Sequence, residues 1–186
     1  MKKIFLILLF TTNCFAKFVL DFDGGYSLFL ASKLKVKSGV NFGISSYFVT
    51  LNKFNFGLGI YNIFGTSYIV KDTEKEIFNA LPICITAKYP IGNKNLELVL
   101  NTGVSLTKLA TRYGNILYGN ILYYIQYAGW HPYVQIETKL NLSGFTVSLG
   151  LRYLRTSEIK NYRKLNNNVH QDFTGIYGSI GYRFEM

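Results

Sequence analysis

The chain has 186 residues, a formal net charge of +10, 17% aromatic residues and only 3 prolines. This length is enough for one domain. Beyond the first residues, no apolar stretch approaches the roughly 20 residues of a transmembrane helix, which excludes a helical membrane protein. Abundant Phe (15), Tyr (15) and Gly (17) favour a chain made mostly of long β-strands.

Residues 1–16 have the layout of a secretory signal peptide. Two lysines precede the apolar run Ile4–Phe10, and the segment ends on the small residue Ala16. Seven apolar residues are too few for a membrane anchor. The segment Thr11–Asn13 before Cys14 lacks the apolar residue and the small residue that precede the acylated cysteine of a lipoprotein. We therefore expect export, cleavage after Ala16, and one mature domain of residues 17–186.

Removing the signal peptide and its two lysines lowers the net charge from +10 to +8. A basic balance can indicate nucleic acid binding, but an exported chain meets anionic lipid head groups instead. We expect outer-membrane lipid, including lipopolysaccharide, as a partner and no nucleic acid. The mature chain keeps a single cysteine, Cys84, and so cannot form the internal disulfide common in small exported soluble proteins.

Alternation with a period of two residues predicts about eight β-strands, each with an apolar row and a small or polar row. The predicted strands are Phe18–Leu30, Lys35–Thr50, Phe54–Phe64, Ile77–Ile91, Leu96–Leu106, Tyr133–Leu142, Phe145–Leu154 and Asp172–Met186. Pro82 is a poor residue for a central strand, so we expect it close to a loop.

The connections between these strands alternate in length. Short turns at residues 51–53, 92–95 and 143–144 alternate with long loops at 65–76, 107–132 and 155–171, and the link at 31–34 is a short exception. Residues 107–132 hold two copies of YGNIL, and we predict a partly structured loop that extends the neighbouring strands. Aromatic residues beside the short turns predict a girdle at a membrane boundary: Phe48, Phe54, Tyr89, Phe145, Tyr182 and Phe184.

The last strand ends on Tyr182-x-Phe184, and this ending resembles the closing strand of bacterial outer-membrane barrels. Together with the alternation over residues 17–186, the chain resembles small outer-membrane barrels of the opacity-protein and OmpA-like type. The resemblance implies that the last strand pairs with the first and is read by the assembly machinery. We predict an all-β, antiparallel, up-and-down transmembrane β-barrel of about eight strands in the bacterial outer membrane.

Alternation alone leaves a second architecture open. A soluble periplasmic barrel has the same pattern, with its apolar row inside around a small apolar ligand. In the membrane barrel, the polar row faces the interior and brings charges of both signs there: Asp21, Asp23, Lys35, Lys37, Lys88, Glu97, Glu137, Lys139, Arg152 and Arg183. An eight-stranded barrel is just wide enough for side chains to fill. We expect paired charges to fill and block this lumen; a narrow pore for ions or small solutes is the alternative.

The sequence offers no set of catalytic residues. Its two histidines, His131 and His170, have no Ser within two positions on a shared strand face, and we expect an interfacial loop position for His131 and a loop position for His170. Hydrolase, metal-ligand and phosphate-loop motifs are missing, and Gly57-Leu58-Gly59 is typical of a strand. We predict that the protein is not an enzyme and needs no metal or cofactor.

Binding is the remaining class of function. Arg163 and Lys164 in the last loop are suited to lipopolysaccharide phosphates. The tyrosines of Tyr113–Trp130 could form a second membrane girdle, which we favour, or contact a host or cell-surface protein. We therefore expect a monomer with a structural or adhesin-like role.

Overall fold

The computed structural model describes residues 15–30, 36–67, 74–92, 95–113, 122–156 and 172–186. They form eight antiparallel strands that pair in chain order and close into a barrel, which confirms the predicted fold class. The strands are β1 (Phe15–Phe29), β2 (Ser38–Leu51), β3 (Phe54–Thr66), β4 (Glu74–Pro90), β5 (Leu96–Tyr113), β6 (Leu122–Leu142), β7 (Phe145–Leu154) and β8 (Gly175–Glu185). Within the described ranges, no helix is long and apolar enough to cross a membrane. The predicted signal peptide falls mostly on residues 1–14, outside the described residues.

The outward face of the barrel is apolar, and the inward face is polar over much of its height. Phe42 and Ile180 on the outer surface are 62% and 72% exposed, whereas Asp21 and Lys139 are fully buried inside. A soluble barrel hides its apolar row in the interior and presents the polar row to water. The soluble ligand-binding alternative is therefore wrong, and the apolar outer surface is suited to lipid.

The strands tilt steeply around the barrel. Following cross-strand partners once around the barrel from Thr107 on β5 leads back to β5 at Glu97, ten residues earlier (107 minus 97). In a closed barrel this stagger fixes the strand tilt and the diameter together. As a result, charged lumen residues from five strands meet although they are far apart in sequence.

One end of the barrel holds the start of β1, the end of β8 and the short turns. Val19 near the start pairs with Glu185 near the end, so β8 pairs with β1 as the closing strand was predicted to do. Ser143 and Gly144 link β6 to β7 with φ values of 54° and 100°, as a two-residue hairpin turn of type I′ requires. We call this end of the barrel the short-turn end and the opposite end the long-loop end.

Two predicted loops are shorter than expected. β5 continues to Tyr113 and β6 starts at Leu122, so the predicted loop at 107–132 is largely a strand pair; residues 114–121 lie outside the described residues. The alternation fails there because Thr107 pairs with Gly129 but Lys108 pairs with Tyr127, so β6 contains one extra residue. The loop predicted at 65–76 is also shorter, because β3 continues to Thr66 and β4 begins at Glu74. The predicted link at 31–34 lies outside the described residues, as does the last loop from residue 157 on.

Pro82 lies in the middle of β4 rather than beside a loop, because the strand begins earlier than expected, at Glu74. Proline has no N–H to donate to a neighbouring strand. The pairing of β3 with β4 lapses at this point, between Ile60–Ile83 and Ile63–Ala80. Next to the gap, the Asn79 side-chain amide donates to the Asn62 side-chain oxygen at 2.9 Å. β4 accommodates the proline, but its pairing with β3 is interrupted at this point.

Candidate functional site: the barrel interior and its ends

The barrel interior is built in three layers. The charged layer lies at the short-turn end and contains Asp21, Asp23, Lys88, Glu97, Glu137, Lys139 and Arg183. The tyrosine layer lies in the middle and contains Tyr61, Tyr133, Tyr177, Arg152 and Gln135. The apolar layer lies at the long-loop end and contains Phe29, Val36, Ile63, Phe78, Ala80, Leu109, Leu154 and Phe173.

Arg183 holds the charged layer together across the barrel seam. Its Nε and Nη2 donate to the two carboxylate oxygens of Asp21 at 2.7 and 2.9 Å. Its Nη1 and Nη2 also donate to the two oxygens of Glu97 at 2.9 and 2.6 Å. Asp21 lies on β1 and Glu97 on β5, so one guanidinium on β8 joins the seam to the opposite wall of the lumen. Such bidentate pairs are among the strongest polar contacts in proteins.

Lys139 is the second centre of the charged layer and is completely buried. Its Nζ lies 2.8 Å from Asp23, 3.3 Å from Asp21 and 3.8 Å from Glu137. Lys88 lies 3.7 Å from Glu97 and 4.3 Å from the centre of the Tyr47 ring. Because these contacts share partners, the cations and anions of five strands form one network.

Among the described lumen residues, the buried charges balance. Four are acidic and four are basic: Asp21, Asp23, Glu97, Glu137, Lys88, Lys139, Arg152 and Arg183. A buried charge is tolerated when it has a partner, and removing one partner is costly. These eight residues belong to the ten charges that were predicted to face inward, so the prediction is confirmed for eight of the ten. Lys37 is exposed near the long-loop end, and Lys35 lies outside the described residues.

The tyrosine layer is centred on Arg152. Its Nη1 donates to Ser27 at 2.7 Å, and its Nε and Nη2 donate to the Gln135 side-chain oxygen at 3.1 and 3.0 Å. The guanidinium carbon lies 4.5 Å from the centre of the Tyr177 ring, a cation–π distance. The Tyr177 hydroxyl donates to Glu137, which links this layer to the charged layer below it.

The apolar layer closes the lumen at the long-loop end. The rings of Phe78 and Phe173 stack with centroids 3.7 Å apart, and Phe29 packs edge-on against both at 5.5 and 5.4 Å. Leu109 and Leu154 complete the layer from β5 and β7 and are also buried. This layer was not predicted from the sequence. A signal was present, because each phenylalanine interrupts an otherwise polar or small row next to a long loop.

The predicted loop position of His131 is wrong. It lies within β6, is buried in the lumen and pairs across the strands with Ser105 of β5. The error comes from the underestimated length of β6. His170 lies outside the described residues. Among the described residues, no group of three or more His, Cys, Asp or Glu side chains is placed to hold a metal ion.

Aromatic side chains lie on the outer surface around the short-turn end, where the sequence predicted them. Phe54 lies 4.8 Å from Tyr89, and Tyr182 lies 5.3 Å from Phe145 and 4.8 Å from Phe184, between ring centroids. At the other end Trp130 is 59% exposed, while the tyrosine side chains at 113–127 lie outside the described part of the chain.

The architecture has a known counterpart: the chain has the fold of small eight-stranded outer-membrane β-barrels. It is similar to Ail, the attachment invasion locus protein of Yersinia pestis, with 14% identity, a TM-score of 0.56, and coverage of 91% of this chain and 100% of that one. It is also similar to the outer membrane protein OprG of Pseudomonas aeruginosa, with 12% identity, a TM-score of 0.52, and coverage of 93% and 98%. The solved Ail structure is a complex with the heparin analogue sucrose octasulfate. No protein-family model and no curated protein sequence matches the chain.

Proposed function

We propose that this protein is a non-enzymatic barrel of the bacterial outer membrane that binds anionic groups at its long-loop end. In this proposal residues 1–16 are the signal peptide, residues 17–186 form a monomeric barrel, and the short turns face the periplasm. The network of paired charges fills the lumen, so the working surface of the protein is outside the barrel. The aromatic residues at the short-turn end lie at the inner boundary of the membrane.

The distribution of charge carries this proposal. The connections and adjoining strand ends at the long-loop end, residues 31–37, 67–76, 108–130 and 155–172, contain 11 Lys and Arg against 5 Asp and Glu, a net +6. The lumen charges cancel, and the short-turn end carries only Lys17, Lys53, Lys94 and Glu185, a net +2. The mature charge of +8 is therefore concentrated at one end. Clustered Lys and Arg are suited to phosphate and sulfate groups.

Two further observations support binding at the long-loop end. Ail, which has the same fold, was solved with a sulfated carbohydrate analogue bound. In this chain β5 and β6 have 18 and 21 residues, and together with β4, which has 17, this hairpin extends farthest at the long-loop end. A projecting hairpin beside basic connections gives a polymer or a lipid head-group layer a surface to rest on.

The test is to remove positive charge from one end of the barrel at a time. Refolded barrel is titrated with lipopolysaccharide and its affinity is compared with that of the Arg163→Gln/Lys164→Gln variant. The matched control, Lys53→Gln/Lys94→Gln, removes the same charge from the short-turn end. We expect the loop variant to bind several-fold more weakly, more so at low salt, and the control to bind as wild type. Equal affinities for all three proteins would refute the proposal.

The same titration distinguishes the sources of the anion. Heparin offers sulfates on a carbohydrate, and vesicles of an anionic phospholipid offer phosphates without a carbohydrate. A shared loss for all three ligands means that charge density is recognised. A loss for lipopolysaccharide alone means that its particular arrangement of phosphates is recognised.

The packing of the apolar layer argues against the alternative function, a narrow pore for hydrated ions or small solutes. Phe29, Phe78 and Phe173 contact one another across the lumen and are almost fully buried. A hydrated ion would have to separate these rings and then pass the paired charges of the layer below.

A further inference from the structure

A groove crosses the outer wall of the barrel over the seam between β1 and β8. Its volume is about 750 Å³, and its lining is almost entirely apolar. It lies between two rows of outward residues that are cross-strand partners. One row runs from Phe145 to Ile60, and the other consists of Ile180, Gly24, Phe42 and Asn62. We call this feature the wall groove.

The length of the wall groove matches that of one lipid chain. From Ile180 on β8 to Asn62 on β3 the groove crosses three strand spacings of about 4.8 Å, which is roughly 14 Å. One leaflet is half of the roughly 30 Å hydrocarbon core of a membrane. The groove therefore has the length that an acyl chain needs to cross one leaflet.

The wall of the groove contains a glycine that crowding does not require. A Cβ at the outward Gly24 would meet only Phe42, at an ordinary contact distance of 3.5 Å. Its inward neighbour Gly25 differs, because a Cβ there would overlap the backbone of Gly178. The missing side chain at Gly24 thus leaves space on the lipid-facing side of β1, where a larger residue could be built.

The end of the groove nearer the long-loop end is polar. Asn62 is exposed on the outer surface, between the exposed apolar side chains of Ile60 and Phe64 on the same strand. The Asn79 amide nitrogen donates to the Asn62 oxygen at 2.9 Å, which leaves the Asn62 nitrogen and the Asn79 oxygen without a partner among the described residues. Hydrocarbon offers no water to such groups. The two amides therefore call for a ligand that both accepts and donates.

We propose that the wall groove binds one acyl chain of lipopolysaccharide, with the linkage of that chain at Asn62 and Asn79. The inference rests on the proposed function, which places the long-loop end and its net +6 charge at the outer leaflet, next to the phosphates of this lipid. Lipopolysaccharide chains are joined through esters and amides and carry hydroxyl groups. They can accept from the Asn62 nitrogen and donate to the Asn79 oxygen, whereas the esters of a phospholipid only accept.

The experiment is native mass spectrometry of the refolded barrel, released from detergent micelles that contain lipid A. We expect one lipid A on the wild type and several-fold less on Gly24→Leu, whose side chain fills the groove. The control Gly178→Leu adds the same side chain on the outer face of β8 outside the groove, where a Cβ meets nothing closer than 3.7 Å. It should retain lipid A as wild type does. Gel mobility without boiling verifies that both variants are closed barrels.

Two outcomes of this comparison would overturn the proposal. One is equal retention of lipid A by Gly24→Leu and the wild type. The other is an equal loss in Gly178→Leu, because added bulk anywhere on the outer wall would then have the same effect.

Lipopolysaccharide stripped of its acyl chains separates this inference from the proposed function. It keeps its phosphates, so Gly24→Leu should bind it as wild type does, and Arg163→Gln/Lys164→Gln should bind it more weakly. Weaker binding by Gly24→Leu would show that the leucine disturbs head-group binding and would overturn the wall groove. A loop variant that binds as wild type, together with loss of lipid A from Gly24→Leu, would refute the proposed function and leave the groove as the binding site.

The polar end of the groove is tested by Asn62→Leu, which removes the amide and keeps an apolar surface. Retention of lipid A should fall several-fold. The control Thr138→Val removes an outward hydroxyl outside the groove, one that donates to the Leu149 carbonyl, and should have no effect. Unchanged retention in Asn62→Leu would overturn the assignment of the linkage. Wild-type barrel that retains phosphatidylglycerol as well as lipid A would overturn the choice of lipopolysaccharide.

Discussion

The two ends of the lumen are closed by opposite chemistry. The charged layer depends on particular partners, because the single guanidinium of Arg183 hydrogen-bonds to both Asp21 and Glu97. The apolar layer depends on contact area, which several side chains share. Losing one member should therefore cost more in the charged layer, where it strands a charge, than in the apolar layer, where neighbours can relax. The charged layer therefore requires particular side chains, whereas the apolar layer tolerates substitution by other apolar side chains.

The largest expected effect comes from Arg183→Met, which keeps side-chain bulk but removes the bidentate partner of two buried carboxylates and leaves the charged layer one cation short. We expect the free energy of unfolding to fall by about 3–5 kcal/mol, the cost of stranding a buried charge. Urea titration of the refolded barrel, followed by gel mobility without boiling, measures the change. Lys53→Met, in an exposed turn, is the control and should leave the midpoint in place. A smaller loss for Arg183→Met than for the apolar-layer variant would reverse the comparison.

The second effect tests the apolar layer with a matched pair on one strand. Leu154→Ala shortens a fully buried side chain in the lumen, and Leu149→Ala shortens one that faces outward on the same strand β7. We expect the lumen variant to lose about 2–3 kcal/mol, because its cavity is only partly filled by relaxation. The outward variant should lose clearly less, since detergent fills the space. Equal losses in the two variants would mean that the apolar layer is not tightly packed.

The third effect concerns conductance across a planar bilayer. Wild-type barrel should conduct ions poorly, because both layers block the lumen. Phe78→Gly/Phe173→Gly removes the stacked rings and should raise conductance only slightly, since the charged layer still spans the lumen. A large, open-channel conductance in wild type would contradict the closed lumen and restore the pore alternative.

The sequence predicted the barrel because its alternation is regular over most of the length of the strands. It predicted the inward position of eight charges for the same reason, since Asp21 and Arg183 follow directly from the period of two. The alternation could not give the depth of a residue in the lumen. Depth depends on the ten-residue stagger around the barrel, which only the pairing of all eight strands reveals.

The pairing partners of those charges could not be predicted from the sequence either. Asp21 and Glu97 meet on Arg183 although they lie 76 positions apart in the chain (97 minus 21), and no local pattern relates them. The environment of His131 was hidden for a different reason. The extra residue of β6 beside Gly129 breaks the alternation, so the strand was predicted to begin only at Tyr133 and the histidine was assigned to the preceding loop.

The pairing of Arg183 with both Asp21 and Glu97 has a consequence for protein synthesis, because the chain is made from its N-terminus. Asp21 lies on β1, the first strand to be synthesised, and Arg183 lies on β8, the last. Until that arginine arrives, the carboxylates of β1 and β5 lack their main counter-ion and the seam has no closing strand. A truncated copy would therefore carry uncompensated negative charge where a finished barrel has none. The interior thus distinguishes a complete copy from an incomplete one by electrostatics alone.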